Sequence, residues 1–91
     1  MHTDLTDRSA VVLGGTKGIG RAAVVKLAQC GSSVVIQGRD AKAAQALIEE
    51  LKDHRGMRLF VESDLMTYEG IDLAVRTAKE SFGKVDVVVA S

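Results

Sequence analysis

The sequence predicts an α/β fold in which the strands of one parallel sheet alternate with helices. Short apolar runs rich in branched residues recur along the chain, and each of the first three is followed by a segment with apolar residues at helical spacing. A helix of about 10 to 15 residues between two strands returns the chain to the same end of the sheet, which makes the strands parallel. The predicted order is β-α-β-α-β-α-β in one continuous unit.

The first unit is a strand, a loop with several glycines and a helix. The strand covers 9–13 and reads SAVVL, an apolar run typical of a strand that is buried on both faces. The helix is predicted over 19–30, and Gly31 then suits the left-handed backbone that ends many helices. Helical spacing predicts its inward stripe to be Ile19, Ala22, Ala23, Leu27 and Cys30.

The rest of the chain repeats this arrangement. Its predicted elements are strands over 33–37, 58–62 and 85–90 and helices over 41–53 and 68–82. Asp40 directly precedes the first of these two helices and is its predicted N-cap. Their inward stripes are predicted to be Ala44, Leu47, Ile48 and Leu51, and then Ile71, Ala74, Val75, Ala78 and Phe82.

Charge and composition exclude several classes of function. The 91 residues carry 12 basic and 12 acidic side chains, so the chain has no electrostatic footprint for nucleic acid or for an anionic membrane. A single cysteine can form neither an internal disulfide nor a zinc set. The start MHTDLTDRS lacks the apolar core of a secretory signal, and no apolar stretch approaches the roughly 20 residues of a membrane span. These features predict a cytoplasmic protein without nucleic-acid or membrane partners.

The glycines of LGGTKGIG lie between the first strand and the first helix. A tight turn there lets backbone N–H groups and the helix start approach a diphosphate, which a side chain would hold off. Gly14, Gly18 and Gly20 are the candidates for this approach. By itself the pattern is weak, because glycine turns also serve only to pack a strand against a helix. Its place after the first strand of a β-α-β unit favours a dinucleotide site.

The end of the second strand indicates which dinucleotide. It lies about 20 residues beyond the glycines, where such folds contact the adenosine ribose, and an NAD site would have a carboxylate there. The chain has QGRD instead, in which Gly38 lacks a side chain and Arg39 follows. The planar arginine fork suits a 2′-phosphate, and Lys17 adds a second positive charge. The alternative is that both are solvated surface charges, but their place at two converging corners favours NADP.

These motifs resemble those of the short-chain dehydrogenase/reductase family, whose glycine motif is T-G-x-x-x-G-x-G. The resemblance covers nearly all of the chain, because GRD follows the second strand, SDL follows the third, and FGKVDVVVAS stands where the family has a strand running into N-N-A-G. It implies a Rossmann-like three-layer αβα fold, with 1–91 as the N-terminal, incomplete part of one dinucleotide-binding domain. Right-handed crossovers then place the first two helices on one face of a partial parallel sheet of order 3-2-1-4, truncated after the fourth strand.

The resemblance also implies roles for individual residues. The diphosphate and ribose would be lined by Gly14, Thr16, Lys17, Gly18, Ile19 and Gly20. Arg39 would hold the 2′-phosphate of NADP, and Asp64 with Leu65 would bond the adenine edge. Ala90 and Ser91 would approach the adenosine ribose through their backbone. For Asp64 the alternative is a carboxylate that serves only a turn.

The chain also departs from the family pattern. Leu13 replaces the threonine before the first glycine and Ala90 replaces the first asparagine after the fourth strand, which predicts an apolar contact in place of polar ties between strand ends. The family's catalytic serine and Tyr-x-x-x-Lys pair lie beyond the fourth strand, and Tyr68, the only tyrosine here, is followed by EGID. The 91-residue chain alone is therefore predicted to be inactive. His2 and His54 have no patterned partner and are predicted to lie on the surface.

Three functional interpretations follow. The first is the NADP-binding half of a short-chain oxidoreductase acting on carbonyl or alcohol groups, in which only the complete enzyme meets its small-molecule substrate. The second is a stand-alone nucleotide-binding regulatory module, and the third is a structural subunit completed by a partner. An exposed apolar edge at the fourth strand would be a surface for association with another copy or another chain. We rank the interpretations in that order.

Overall fold

A computed structural model describes residues 4–90 as a four-stranded parallel sheet with three helices. The strands are β1 (Ser9–Leu13), β2 (Ser33–Gly38), β3 (Arg58–Glu62) and β4 (Val87–Ala90), and the helices are α1 (Gly18–Gln29), α2 (Ala41–Glu50) and α3 (Tyr68–Phe82). The strand order is β3-β2-β1-β4 with every pair parallel, so the predicted Rossmann-like αβα arrangement is confirmed. None of the helices in residues 4–90 is long and apolar enough to cross a bilayer.

The two faces of the sheet are covered by different helices, as the right-handed crossovers predict. One core cluster joins the sheet to α1 and α2, and it consists of Ala10, Val12, Val24, Ala28, Val34, Ile36, Leu47 and Leu51. The other joins the sheet to α3, and it consists of Val11, Leu13, Val35, Val61, Ala74 and Ala78. Alternate β1 residues therefore enter opposite cores, and all five are buried, as the continuous apolar run predicts.

The inward face of α1 differs from the prediction. The helix packs through Gly20, Val24 and Ala28, which recur every fourth residue and are buried. Ile19 and Ala22 were predicted to face inward, but both are exposed, Ile19 by 79%. Gly20 has no side chain to hold the first turn away from the sheet, and Ile19 lies about 100° around the helix from it, so the larger residue is turned outward.

The second helix is shorter than predicted because a long side chain holds the turn that follows it. α2 ends at Glu50 rather than at 53, and Leu51 is its C-cap. The Arg58 guanidinium donates to the Leu51 and His54 carbonyl oxygens at 2.9 and 2.8 Å. Burial lowers the pKa of Arg58. The start of α2 is as predicted, since the Asp40 carboxylate accepts from the Ala43 N–H at 3.0 Å.

The last strand begins later than predicted because Asp86 bonds to the start of β1. β4 covers Val87–Ala90 rather than 85–90. The Asp86 carboxylate accepts from the Ser9 N–H at 2.8 Å, and the Asp86 N–H donates to the Ser9 carbonyl oxygen at 2.8 Å. Arg8 and Lys84 lie 3.6 and 3.5 Å from the same carboxylate. The hydrogen bond from Ser9 is the main reason that the pKa of Asp86 lies below its ordinary value of 3.8.

The free edge of β4 is exposed, as predicted. Val87 and Val88 are 41% and 52% exposed, whereas Val89 packs against the core beneath α1. Val88 is the register partner of Val11, so it lies on the α3 side of the sheet. Within the described residues, α3 therefore leaves the β4 end of that face open.

Candidate functional site

A cleft of about 670 Å³ opens at the carboxyl end of the sheet. The loops after β1, β2 and β3 meet there, beside the point where strand order reverses around β1, which is where open α/β sheets bind ligands. Six of the predicted site residues line it: Gly14, Thr16, Lys17, Arg39, Asp64 and Leu65. The other lining residues are Gln37, Gly38, Asp40, Ala41 and Met66.

The glycine loop contains two kinds of glycine. An added Cβ at Gly15 would lie 3.0 Å from the Ile36 side chain and 3.2 Å from that of Val24, so Gly15 lets the loop pack onto the core. Gly18 has a φ of 55°, in the left-handed region, and an added Cβ there would meet nothing within 4 Å. A side chain at Gly15 would thus collide with the core. At Gly18 there is space for a side chain, but the left-handed backbone favours glycine.

The amino terminus of α1 lacks the side-chain cap that begins the other two helices. Its N-cap is Lys17, whose backbone is extended and whose side chain makes no capping hydrogen bond, and its first turn contains no acidic residue. Asp40 caps α2 and Thr67 caps α3. The first N–H groups of a helix have no partner within it and carry partial positive charge. Because Lys17 lines the cleft, the uncapped start of α1 lies at its edge.

The two predicted basic residues lie on the cleft but remain open to solvent. Lys17 is exposed, and the Arg39 side chain is 78% exposed. One Arg39 guanidinium nitrogen lies 3.7 Å from a carboxylate oxygen of Asp64. An exposed pair at this distance contributes at most about 1 kcal/mol, so Arg39 remains available to a stronger anion.

Asp64 also stabilises the turn after β3, which is the alternative role that the sequence predicts for it. Its Oδ1 accepts from the Met66 N–H at 2.8 Å, and its carbonyl oxygen accepts from the Thr67 hydroxyl at 3.2 Å. The loop packs closely on the first turn of α3, because an added Cβ at Gly70 would overlap the Asp64 carbonyl oxygen. Gly70 was not among the predicted site residues, although a glycine inside an otherwise helical pattern is a signal for such an approach.

Four predicted residues do not line the cleft. Gly20 is buried on the inward face of α1, and Gly18 and Ile19 are exposed at the start of that helix. Ala90 is exposed at the end of β4. Their contacts with a cofactor stay predictions, and the predicted positions of Ser91 and His2 lie outside the described residues.

The two departures at the strand ends fall side by side. Leu13 ends β1 and is the register partner of Ala90, which ends β4. Leu13 is 5% exposed and belongs to the core beneath α3, where Leu65 packs against the same cluster. The apolar replacements therefore occupy neighbouring positions at the carboxyl end of the sheet.

Gln37 is the main site residue that sequence reasoning missed. It ends the run VVIQ, is 1% exposed and lines the cleft. Its side chain accepts from the Gly14 N–H at 3.0 Å and donates to Ser63. A polar residue at the end of a buried apolar strand was the signal, since buried polar groups need partners. By contrast, Tyr68 is 79% exposed at the start of α3, and His54 is exposed as predicted.

Comparison with known proteins identifies relatives for nearly the whole chain. A family model described as short chain dehydrogenase matches residues 8–91. The chain is 37% identical over 90 residues to glucose 1-dehydrogenase 2 of Bacillus subtilis, covering 98% of this chain and 35% of that relative.

Solved structures of similar fold include complexes with both nicotinamide dinucleotides. L-sorbose reductase from Gluconobacter frateurii, complexed with NADPH and L-sorbose, has a TM-score of 0.81 and 30% identity, over 97% of this chain and 34% of that one. A 7α-hydroxysteroid dehydrogenase complexed with NADH and 7-oxo glycochenodeoxycholic acid has a TM-score of 0.84 and 26% identity, over 93% and 33%. The chain spans about a third of the length of these proteins.

Proposed function

The chain belongs to the short chain dehydrogenase family, and from that premise we propose that it forms the NADP(H)-binding part of an oxidoreductase. The complete enzyme would transfer hydride between the nicotinamide and a carbonyl or alcohol group of a small molecule. The chain spans about a third of the length of its relatives. We therefore propose a role for its own residues in cofactor binding, and the reaction only for the complete enzyme.

The start of α1 fits the diphosphate of a dinucleotide. Its N–H groups have no side-chain cap, and no acidic residue in its first turn repels an anion. Gly18 leaves space where a side chain would stand in the way. The bound diphosphate would accept hydrogen bonds from the first N–H groups of α1. At α2 and α3 the corresponding N–H groups donate to the side chains of Asp40 and Thr67.

The observation that carries the choice of NADP is the joint placement of Lys17 and Arg39 on the cleft. A 2′-phosphate brings about two negative charges, and two basic side chains at one corner favour it over a bare hydroxyl. Gly38 adds a steric reason, because an added Cβ there would lie 3.1 Å from the Thr16 side chain. The carboxylate that an NAD site would use at this position could enter only if Thr16 moved.

The loop after β3 would receive the adenine. Asp64 and Leu65 line the far side of the cleft from the glycine loop, so a dinucleotide bound at α1 would place its adenosine end between them. Asp64 already accepts from Met66 through one oxygen and faces Arg39 through the other. A 2′-phosphate would take over Arg39 and free the second oxygen for the exocyclic amine of adenine.

Relatives alone do not choose the cofactor, since one similar structure holds NADPH and another holds NADH. The proposal for NADP therefore rests on this chain's own residues. NADP(H) supplies the hydride when bound, and the proton-transferring Tyr-x-x-x-Lys pair of the family has no counterpart at Tyr68. We expect the 91-residue chain to bind the cofactor without catalysing a reaction. We also expect the protein to be cytoplasmic.

Titration of NADPH and of NADH fluorescence with the purified chain tests the proposal. A hydrogen bond to a charged group contributes about 1.5 to 3 kcal/mol, so Arg39→Ala should weaken NADPH about tenfold to a hundredfold and leave NADH nearly unchanged. Arg76→Ala is the matched control, because it removes an arginine that pairs only with Asp72 on the surface of α3. Equal losses of both cofactors in Arg39→Ala would refute the 2′-phosphate role, and no binding of either would refute the site.

A further inference from the structure

The Gln37 side chain connects two walls of the cleft, the glycine loop after β1 and the loop after β3. Gly14 belongs to the glycine loop after β1, and Ser63 belongs to the loop after β3. Gln37 lies between them at the end of β2 and is 1% exposed. Its amide makes hydrogen bonds to both loops, so it spans the floor of the cleft.

The chemistry of the partners determines how this amide is oriented. The Gly14 N–H can only donate, so Oε1 must face it, at 3.0 Å. The Ser63 carbonyl can only accept, so Nε2 must face that side, at 2.6 Å from the carbonyl and 3.2 Å from the hydroxyl oxygen. A flipped amide would place like groups together on both sides. Gln37 can therefore bridge the two loops in one orientation only.

The connection continues beyond Ser63 into α3. The Ser63 hydroxyl donates to the Gly70 carbonyl oxygen at 2.9 Å, in the first turn of that helix. Backbone bonds run parallel to it, from the Gly15 N–H to the Gln37 carbonyl at 2.9 Å and from the Ser63 N–H to the Gly38 carbonyl at 3.1 Å. The backbone bonds join each loop to β2, whereas the Gln37 side chain joins Gly14 to Ser63 directly.

We propose that Gln37 is a positioning residue that sets the width of the adenosine slot between the glycine loop and the loop after β3. This rests on the proposed dinucleotide function. A ligand that contacts both walls, such as adenosine 2′,5′-bisphosphate, gains from a slot of fixed width because no free energy is spent on ordering the walls at binding. The bridge would act through its two partners, the Gly14 N–H in the glycine loop and Ser63 in the loop after β3.

Three variants of the 91-residue chain test the proposal. Gln37→Met has similar length and no charge, and it removes both arms of the bridge. Ser63→Ala is milder, since it removes the hydroxyl arm and the bond to Gly70 but keeps the carbonyl arm. Val34→Ala is the matched control, because it creates a cavity in the same strand at a buried position that does not line the cleft. Each is titrated with adenosine 2′,5′-bisphosphate and with NADPH, and its urea midpoint is measured.

We expect Gln37→Met to weaken both ligands about tenfold and Ser63→Ala about threefold, while Val34→Ala stays within about twofold of the wild type despite its lower urea midpoint. The Gly14 amide proton should shift upfield in Gln37→Met and not in Val34→Ala. If the wild type binds neither ligand, the proposed function falls and the positioning role falls with it. If the wild type binds and Gln37→Met binds equally well, or if Val34→Ala loses as much affinity, the positioning role alone is overturned. If Gln37→Met does not fold, Ser63→Ala is compared with Val34→Ala instead. The positioning role is overturned if Ser63→Ala loses no more ligand affinity than Val34→Ala.

Discussion

The starts of α1 and α3 follow strands of the same parallel sheet, yet their N–H groups are satisfied in opposite ways. At α3 the Thr67 hydroxyl accepts from the Gly70 N–H at 3.0 Å, and Glu69 adds a negative charge in the first turn. At α1 the N-cap is Lys17, whose side chain forms no cap, and the first turn has no acid. A side chain therefore caps the start of α3, whereas no side chain caps the start of α1, where we propose that the diphosphate binds.

This difference distinguishes a helix start that stabilises the fold, at α3, from one that we propose binds a ligand, at α1. A capped helix start contributes to stability and leaves little positive potential for an anion. An uncapped start forgoes about 1 kcal/mol of stability and keeps that potential. Adding a cap at the start of α1 should therefore raise stability and weaken ligand binding. Removing the cap at the start of α3 should lower stability.

The largest effect is expected for Lys17→Asp, which would give α1 the kind of cap that α2 has in Asp40. The N-cap backbone is already extended, so the carboxylate can accept from the first turn, and we expect stability to rise by about 0.5 to 1 kcal/mol. NADPH affinity should fall about a hundredfold, because one favourable charge is lost and a repelling one is added. Urea denaturation and fluorescence titration measure the two quantities.

Lys79→Asp is the control for this charge reversal. It makes the same change in net charge in the last turn of α3, at the opposite end of the sheet from the cleft. NADPH affinity should stay close to that of the wild type. A loss of stability in Lys17→Asp, or an equal loss of affinity in both variants, would contradict the role assigned to the start of α1.

A smaller effect is expected for Thr67→Ala, which removes the cap of α3. The free energy of unfolding should fall by about 1 kcal/mol, because the Gly70 N–H loses its side-chain acceptor. Thr77→Ala in the same helix is the control, since Thr77 is not at an end of α3 and its change should stay within about 0.5 kcal/mol. Indistinguishable urea midpoints for the two variants would mean that the Thr67 cap contributes nothing.

The smallest effect, and a pH-dependent one, is expected at the other end of the sheet, where the chain supplies its own carboxylate to a backbone N–H. The Ser9 N–H, followed by Lys84 and Arg8, holds the pKa of Asp86 below 3.8. Its contribution to stability is therefore complete above that value and is lost as the pH falls through the lowered pKa. Asp86→Asn should be less stable than the wild type at pH 7, and the gap should close below about pH 4.

Urea midpoints of both proteins at several pH values between about 7 and 3 check this dependence. Asp72→Asn is a suitable control, because Asp72 pairs with Arg76 on the surface of α3 and not with a strand backbone. A gap that is the same at pH 7 and pH 3 would show that the charge of Asp86 does not matter.

Elements determined by local patterns could be predicted from the sequence. The bounds of β1, β3 and α3 agree with the prediction because apolar runs and a helical stripe end at polar or glycine residues within the same segment. The end of α2 and the start of β4 could not be predicted, since they depend on Arg58 and Asp86. These side chains bind backbone groups of other elements, and no local pattern reports such contacts.

The candidate site divides in the same way. Lys17 and Arg39 could be assigned to one cleft because parallel strands deliver their loops to the same end of the sheet. For Gln37 and Gly70 the residue type was a signal, but their partners, Gly14 for one and Asp64 for the other, lie in other segments and could not be predicted. The outward position of Ile19 could not be predicted from helical spacing alone, because it follows from the close packing of Gly20 against the sheet.

The pairing of β1 with β4 sets the order in which this sheet can assemble. β1 meets β2 after a single crossover, but the bond between Ser9 and Asp86 joins residues 77 positions apart. Closing so long a loop costs about 1 kcal/mol more entropy than the β1–β2 pairing, and contacts at long sequence separation slow folding. During synthesis, β1 therefore remains an unpaired apolar edge on one side until residue 87 has emerged, and such an edge favours aggregation in that interval.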